Sequence, residues 1–244
     1  MPRLPSELVD SIIDSLHDNP EALKRCCLVS PSWVSRTRKY LFSHVYFSRP
    51  GHLKAWKKNF PDPINSPAIH THSLRFRRTE WVTDADVSWI RSFTEVVRLD
   101  LRSGPGPNGS LVHFYNLSPV VKSLSIGWDD LSYREVFDLI CSFPLLEDLD
   151  VSGSGRINDG GGDISRSPHL PLFTGTLVLQ LVAADIVRRL LQLSNGLCFR
   201  KIVWEQDVVN EFEGVRDLVE RCSDTIESVE TGRTSAKSCP SVRR

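Results

Sequence analysis

The sequence predicts an α/β fold: a small all-α head of three helices, then a solenoid of strand-helix units on a parallel sheet. Three observations predict it. An apolar pair of the form Leu-x-apolar recurs as Leu74/Phe76, Leu99/Leu101, Leu124/Ile126 and Leu149/Val151, with 25 residues between successive first members. The stretches between these pairs carry apolar residues at helical spacing. The first 47 residues lack the pair and hold three short helical runs instead.

In the head, Leu8, Ile12 and Leu16 form the first run, and Leu23, Cys26 and Cys27 the second. Leu4-Pro5 opens the first helix, where proline sacrifices no intrahelical hydrogen bond. Asn19-Pro20-Glu21 opens the second with a capping side chain, a preset φ and an acid near the positive helix end. Ser30-Pro31-Ser32 breaks the chain again before Trp33, and a basic run from Arg36 to Lys39 closes the third. These helices hold more apolar residues than so short a segment can bury among themselves.

Residues 48–70 read as a connector. Pro50-Gly51 marks a turn, His52 to Phe60 fits one helix, and Pro61, Pro63 and Pro67 forbid its continuation. Leu53, Trp56, Phe60 and Ile64 are its expected anchors.

The repeat body is expected over residues 71–230. Val96, Val121 and Leu146 each stand three positions before a pair, giving the frame apolar-x-x-Leu-x-Leu, a short strand with alternate side chains on one face. The frame continues less regularly as Leu179/Leu181, Ile202/Trp204 and Ile226/Val229. Helices are expected over Asp84 to Phe93, after the capping-box match Ser132-x-x-Glu135, from Ala183 to Leu193 with Asn195-Gly196 as a stop, and from Val208 to Cys222. This frame resembles a leucine-rich repeat. It departs from the strict form, because Ser103-Gly104, Gly127 and Ser152-Gly153 stand where an asparagine is usual, so the number of repeats stays open. Glycine-rich Gly153 to Gly162 interrupts the array. Residues 231–244 are rich in Ser, Arg and Lys without periodicity and are expected to be disordered. No polar cap follows the last unit, as in a shortened version of a longer repeat protein.

The residues Leu4, Pro5, Glu7, Leu8, Ile12, Leu16, Leu23, Cys27, Leu28, Val29, Ser30, Trp33, Leu41, Phe42 and Val45 occur in the order of an F-box, and the segment most resembles the fungal form. With degenerate repeats behind it, the chain resembles an F-box protein, with the F-box over residues 1–47. That resemblance implies a substrate-recognition subunit of a Skp-cullin-F-box ubiquitin ligase, acting in ubiquitin-dependent protein degradation. The head would dock on the Skp-type adaptor, and through it a cullin, while the repeats hold a target protein. Leu4, Pro5, Leu8, Ile12, Leu16, Leu23, Leu28 and Trp33 are the expected adaptor contacts, some of them serving internal packing instead. A non-ligase scaffold that binds the adaptor without cullin is the alternative.

In the body, the residues between and beside the leucine pairs point away from the core. Arg75, Arg77, Arg98, Asp100, Arg102, Ser123, Ser125, Asp148, Asp150, Val178 and Gln180 are expected to line the sheet face that meets a target. The basic cluster Arg75-Arg77-Arg78 reads as the rim of that face, and Glu205-Asp207-Glu211-Glu213 as a solvated helix start.

Composition narrows the function further. The 244 residues are 40% hydrophobic, and 30 Lys and Arg balance 30 Asp and Glu, which argues against a broadly basic nucleic-acid surface. No apolar run approaches the roughly eighteen residues of a membrane span. Met1 leads directly into the first helix, so an intracellular protein, cytoplasmic or nuclear, is expected. In that setting the acceptor patterns at Asn108 and Asn116 are idle. The six cysteines (26, 27, 141, 198, 222 and 239) form no C-x-x-C pair and fit reduced thiols. Gly160-Gly161-Gly162 is followed by Asp163 rather than Lys-Ser/Thr, which argues against a phosphate loop. His70-x-His72 has no acidic or thiol companion at metal-ligand spacing. No triad or nucleophile elbow is present, so the expectation is a non-catalytic protein without metal or cofactor.

Overall fold

A computed structural model describes residues 5–102, 111–115, 117–127, 133–153, 171–180, 184–192, 197–205 and 212–232. Three helices lead: α1 (Ser6–Ser15), α2 (Pro20–Val29) and α3 (Pro31–Leu41). Asn19 caps α2 by accepting from the Ala22 N–H, and Ser30 caps α3 by accepting from the Ser32 N–H. Their small core is Ile13, Leu23, Cys26 and Thr37, all buried. The Thr37 hydroxyl bonds the Trp33 carbonyl at 2.5 Å and meets the Cys27 thiol at 3.1 Å. A clasp joins α1 to α3, in which Arg36 donates to both carboxylate oxygens of Asp14, at 2.8 and 2.5 Å, and Tyr40 donates to Oδ1 at 2.7 Å.

The body is one parallel sheet of eight strands hydrogen-bonded in chain order: β1 (His44–Phe47), β2 (Ser73–Phe76), β3 (Arg98–Arg102), β4 (Ser123–Gly127), β5 (Asp148–Ser152), β6 (Thr176–Gln180), β7 (Lys201–Glu205) and β8 (Ser228–Gly232). Register follows the apolar pairs, with Leu74, Leu99, Leu124 and Leu149 mutually aligned. These side chains are fully buried, and helices cover the face they point to. Among those helices α6 (Tyr133–Cys141) contributes Phe137 and Ile140, α7 (Ala184–Gln192) Ile186 and Leu190, and α8 (Phe212–Arg221) Val215 and Leu218.

The sheet begins earlier than the 25-residue repeat. β1 lies inside the segment read as the head, yet it pairs with β2 and buries Val45 and Phe47 as the first apolar pair. Helix α4 (Pro50–Asn59) follows and buries Leu53 and Trp56. Trp56 packs against Phe42, Phe47, Phe60 and Phe93 at ring-centroid distances of 5.0 to 5.9 Å, tying head, connector and sheet into one aromatic cluster. Ile64 is not an anchor: it is 82% exposed.

Three further expectations change. The helix expected over Asp84 to Phe93 is a 3-10 turn at Asp84–Asp86 and a single α-turn, α5 (Val87–Ile90). The fifth pair is Leu177/Leu179 rather than Leu179/Leu181, since Leu177 aligns with Leu149 and Leu179 with Val151. Asp148 Oδ1 fixes that register by accepting from the Thr176 N–H at 2.6 Å. Gly175 makes the approach possible, because a Cβ there would overlap the Asp148 carboxylate. The last frame is Val229/Thr231, aligned with Ile202/Trp204, and not Ile226/Val229. The glycine-rich stretch, Ser132, Asn108, Asn116, Asn195-Gly196 and the tail from 233 onward lie outside the described residues.

Candidate functional site

Among the described residues no helix covers the sheet's second face, and strand alternation places one row of side chains along it. Register aligns Tyr46, Arg75, Asp100, Ser125, Asp150, Val178, Val203 and Glu230 side by side from β1 to β8. Arg75 stacks over the Tyr46 ring at 5.3 Å and pairs with Asp100 at 2.8 Å. Arg102 reaches across three strands, donating to Asp100 at 2.9 Å, Ser125 at 3.1 Å and Ser152 at 2.6 Å. Ser125 in turn donates to Asp150 Oδ2 at 2.9 Å, while Asp150 Oδ1 is buried with no hydrogen-bond partner among the described residues. Burial pushes the Asp150 carboxyl above the usual range, with Asp100 and Glu205 adding to the shift and Ser125 and Arg102 opposing it. Flanking the row on the same face, Gln180 donates to Glu205 at 3.0 Å, and Lys201 pairs with Glu230 at 2.6 Å.

The residues expected on this face therefore divide by what already engages them. Asp100, Arg102, Ser125 and Asp150 form one internal network. Asp148 is committed to holding the start of β6, and Ser123 lies beside it, half-buried. Arg77 and Arg98 are exposed and make no ion pair or side-chain hydrogen bond among the described residues. Sequence reasoning missed Tyr46, Val203 and Glu230. Tyr46 was concealed because β1 lies in the head segment, and the other two because the spacing drifts after β5.

The second candidate surface is on the head. Leu8 and Ile12, one turn apart on α1, are 53% and 43% exposed, and Leu28 and Val29 at the end of α2 are 87% and 64% exposed. Pro5 is exposed, and Leu16 and Trp33 are partly exposed. Leu23 is a correction to the expected contact set, since it is 1% exposed and belongs to the head's core. Leu4 lies outside the described residues. Val29 joins the surface unforeseen.

His70 and His72 belong to no group of three or more His, Cys, Asp or Glu side chains that could hold a metal ion among the described residues. Burial, with Lys39, His72 and Arg38 nearby, lowers the His70 pKa and favours its neutral form. The described cysteines are free thiols. No described helix is long and apolar enough to cross a membrane. No known protein family, curated protein or solved structure matches the chain.

Proposed function

We propose that the chain is an F-box protein, the substrate-recognition subunit of a Skp-cullin-F-box ubiquitin ligase. In this reading α1 to α3 are the F-box, and the sheet with its helices is a degenerate leucine-rich-repeat solenoid that holds a target. The observation that carries it is the uncovered apolar surface on a head whose own core is complete. Ile13, Leu23 and Cys26 are already buried, yet Leu8, Ile12, Leu28 and Val29 remain in water. Such a surface marks an interaction site. Each side chain contributes about 1.5–3 kcal/mol when buried, enough in combination to sustain docking after association costs. The chain performs no bond chemistry in this role; it supplies proximity and orientation. The role belongs inside the cell, in cytoplasm or nucleus.

Co-expression with a Skp-type adaptor tests the proposal. A complex that survives gel filtration is expected, and Leu8→Asp with Leu28→Asp abolishes it without unfolding the chain, because both side chains are exposed. Loss of the complex with the wild-type chain, or its survival in the double variant, overturns the reading. Cullin in the purified complex marks a ligase subunit, whereas its absence marks the scaffold alternative.

A further inference from the structure

The open face of the sheet is electrically lopsided. Just past β2 and on β3, Arg77 and Arg98 are exposed with no acidic partner among the described residues, and Arg75 keeps half of its side chain in water despite its pair with Asp100. The next strands turn polar, linked through Arg102, Ser125 and Asp150. Beyond them Val178 and Val203 stand side by side in the same row, partly exposed, as its apolar step. Three guanidinium groups thus lie on or just past two adjacent strands, with Arg98 level with Ser73, Arg75 level with Asp100 and Arg77 one residue beyond Phe76; such groups are sites for carboxylates, which they can grip bidentately. An adjacent aliphatic pair is a site for one apolar side chain.

The spacing sets the ligand's length. From Arg75 on β2 to Val178 on β6 there are four strand steps, at about 4.8 Å each, or about 19 Å in all. An extended chain covers that in about six residues. We propose that this face binds an extended peptide whose acidic residues sit on Arg75, Arg77 and Arg98 and whose aliphatic residue, about six positions away, sits on Val178 and Val203. The inference rests on the reading of the body as a target-holding surface and names the chemistry of the target segment. A peptide fits better than a nucleic acid. A continuous polyanion crossing the same row would meet Asp100, Asp150 and Glu230, whereas a peptide confines its acids to one end.

The test pans a random dodecapeptide phage library on the immobilised full-length chain, then measures the selected peptides by fluorescence anisotropy. Selected sequences are expected to carry an acidic cluster and an aliphatic residue about six positions apart, with affinity falling as salt rises. Arg77→Glu with Arg98→Glu weakens them about tenfold or more and shifts selection toward Lys and Arg; both side chains are exposed, so the fold survives, as circular dichroism checks. Val203→Asp removes the aliphatic preference alone. No acidic enrichment, or equal binding by the charge-reversed chain, overturns the proposal, as does an oligothymidylate that binds the same arginines more tightly than any selected peptide. Adaptor co-purification on the same preparations separates the two readings. Adaptor binding with no acidic preference sinks this inference alone, and acidic preference without adaptor binding sinks the F-box assignment alone.

Discussion

Arg102 passes directly over Gly127. A Cβ at Gly127 would stand 2.6 Å from Arg102 Cδ and 2.7 Å from Nη1, closer than side-chain atoms approach. The bare backbone of β4 is therefore the lane along which the guanidinium reaches Ser152 on β5 while still holding Asp100 and Ser125. One missing side chain lets one arginine join three strands on the face turned away from the described helices.

Gly127→Ala closes that lane. Because the clash falls on the middle of the Arg102 side chain, a small movement of its tip does not relieve it. The guanidinium must swing off the face, leaving Asp100 without one of its two arginines and Ser125 and Ser152 without a donor. Net loss of such bonds costs about 1–3 kcal/mol, read as a lower midpoint in urea with an unchanged slope. Arg102→Ala should cost a similar amount, and the double variant little more than either alone, since both act through one network. Additive losses would show that Gly127 acts independently of Arg102.

The buried pair Lys57–Asp86 links α4 to the turn before α5 at 2.5 Å. Asp86 is nearly inaccessible, and its carboxylate also accepts from the Thr83 N–H at 3.0 Å and hydroxyl at 2.7 Å. Burial raises its proton affinity, but the Lys57 and Thr83 bonds outweigh this and hold its pKa below the usual carboxylate range. The two partners are not equivalent, because Lys57 keeps 31% of its side chain in solvent and Asp86 only 8%. Lys57→Met strands a buried carboxylate and is expected to cost about 3 kcal/mol or more. Asp86→Asn leaves an ammonium that can turn to water and should cost less. Thermal unfolding of the two variants side by side checks the order, and a larger loss in Asp86→Asn would refute it.

The body was legible where leucine spacing was constant and illegible where several registers fit. Leu74, Leu99, Leu124 and Leu149 read directly from the 25-residue period, because each strand offers one alternating apolar set. The sequence around the sixth strand offers Leu177, Leu179 and Leu181, three alternate leucines that suit two registers equally. Tertiary contacts choose between them, through the Asp148 bond to Thr176 and the close passage at Gly175. Val45/Phe47 went unread because it precedes Leu74 by 29 residues and holds no leucine. On the head, helical periodicity located the apolar residues but did not divide them between core and surface. Leu23 and Leu28 look alike in sequence, yet the fold buries the first and leaves the second in water. On the open face, alternation identified which side chains emerge but not that Asp148 and Arg102 already serve the fold.

The Asp14–Arg36 clasp makes the head's stability depend on acid. α1 buries only Ile13, so its attachment leans on the bonds from Arg36 and Tyr40 to Asp14. The Arg36 bond, then the Tyr40 bond, hold the Asp14 carboxyl down at about 2, against 3.8 in an unstructured chain. A depressed carboxylate means that the unfolded chain binds more protons than the folded one between these values, so stability falls with pH there. The clasp contributes fully above about 3.8 and fades as pH falls toward about 2. Asp14→Asn should therefore lower the melting temperature at neutral pH and flatten its decline through that window, the wild-type and variant curves converging at the acid end. Comparing the two chains isolates Asp14 from the other carboxylates that titrate in the same range. The pair is partly exposed, so salt should shrink the difference without abolishing the hydrogen bonds. Because Leu8 and Ile12 ride on α1, the same variant should weaken adaptor docking at neutral pH although it touches neither residue. Parallel melting curves across the window would show that Asp14 is not the group that couples the head to acid.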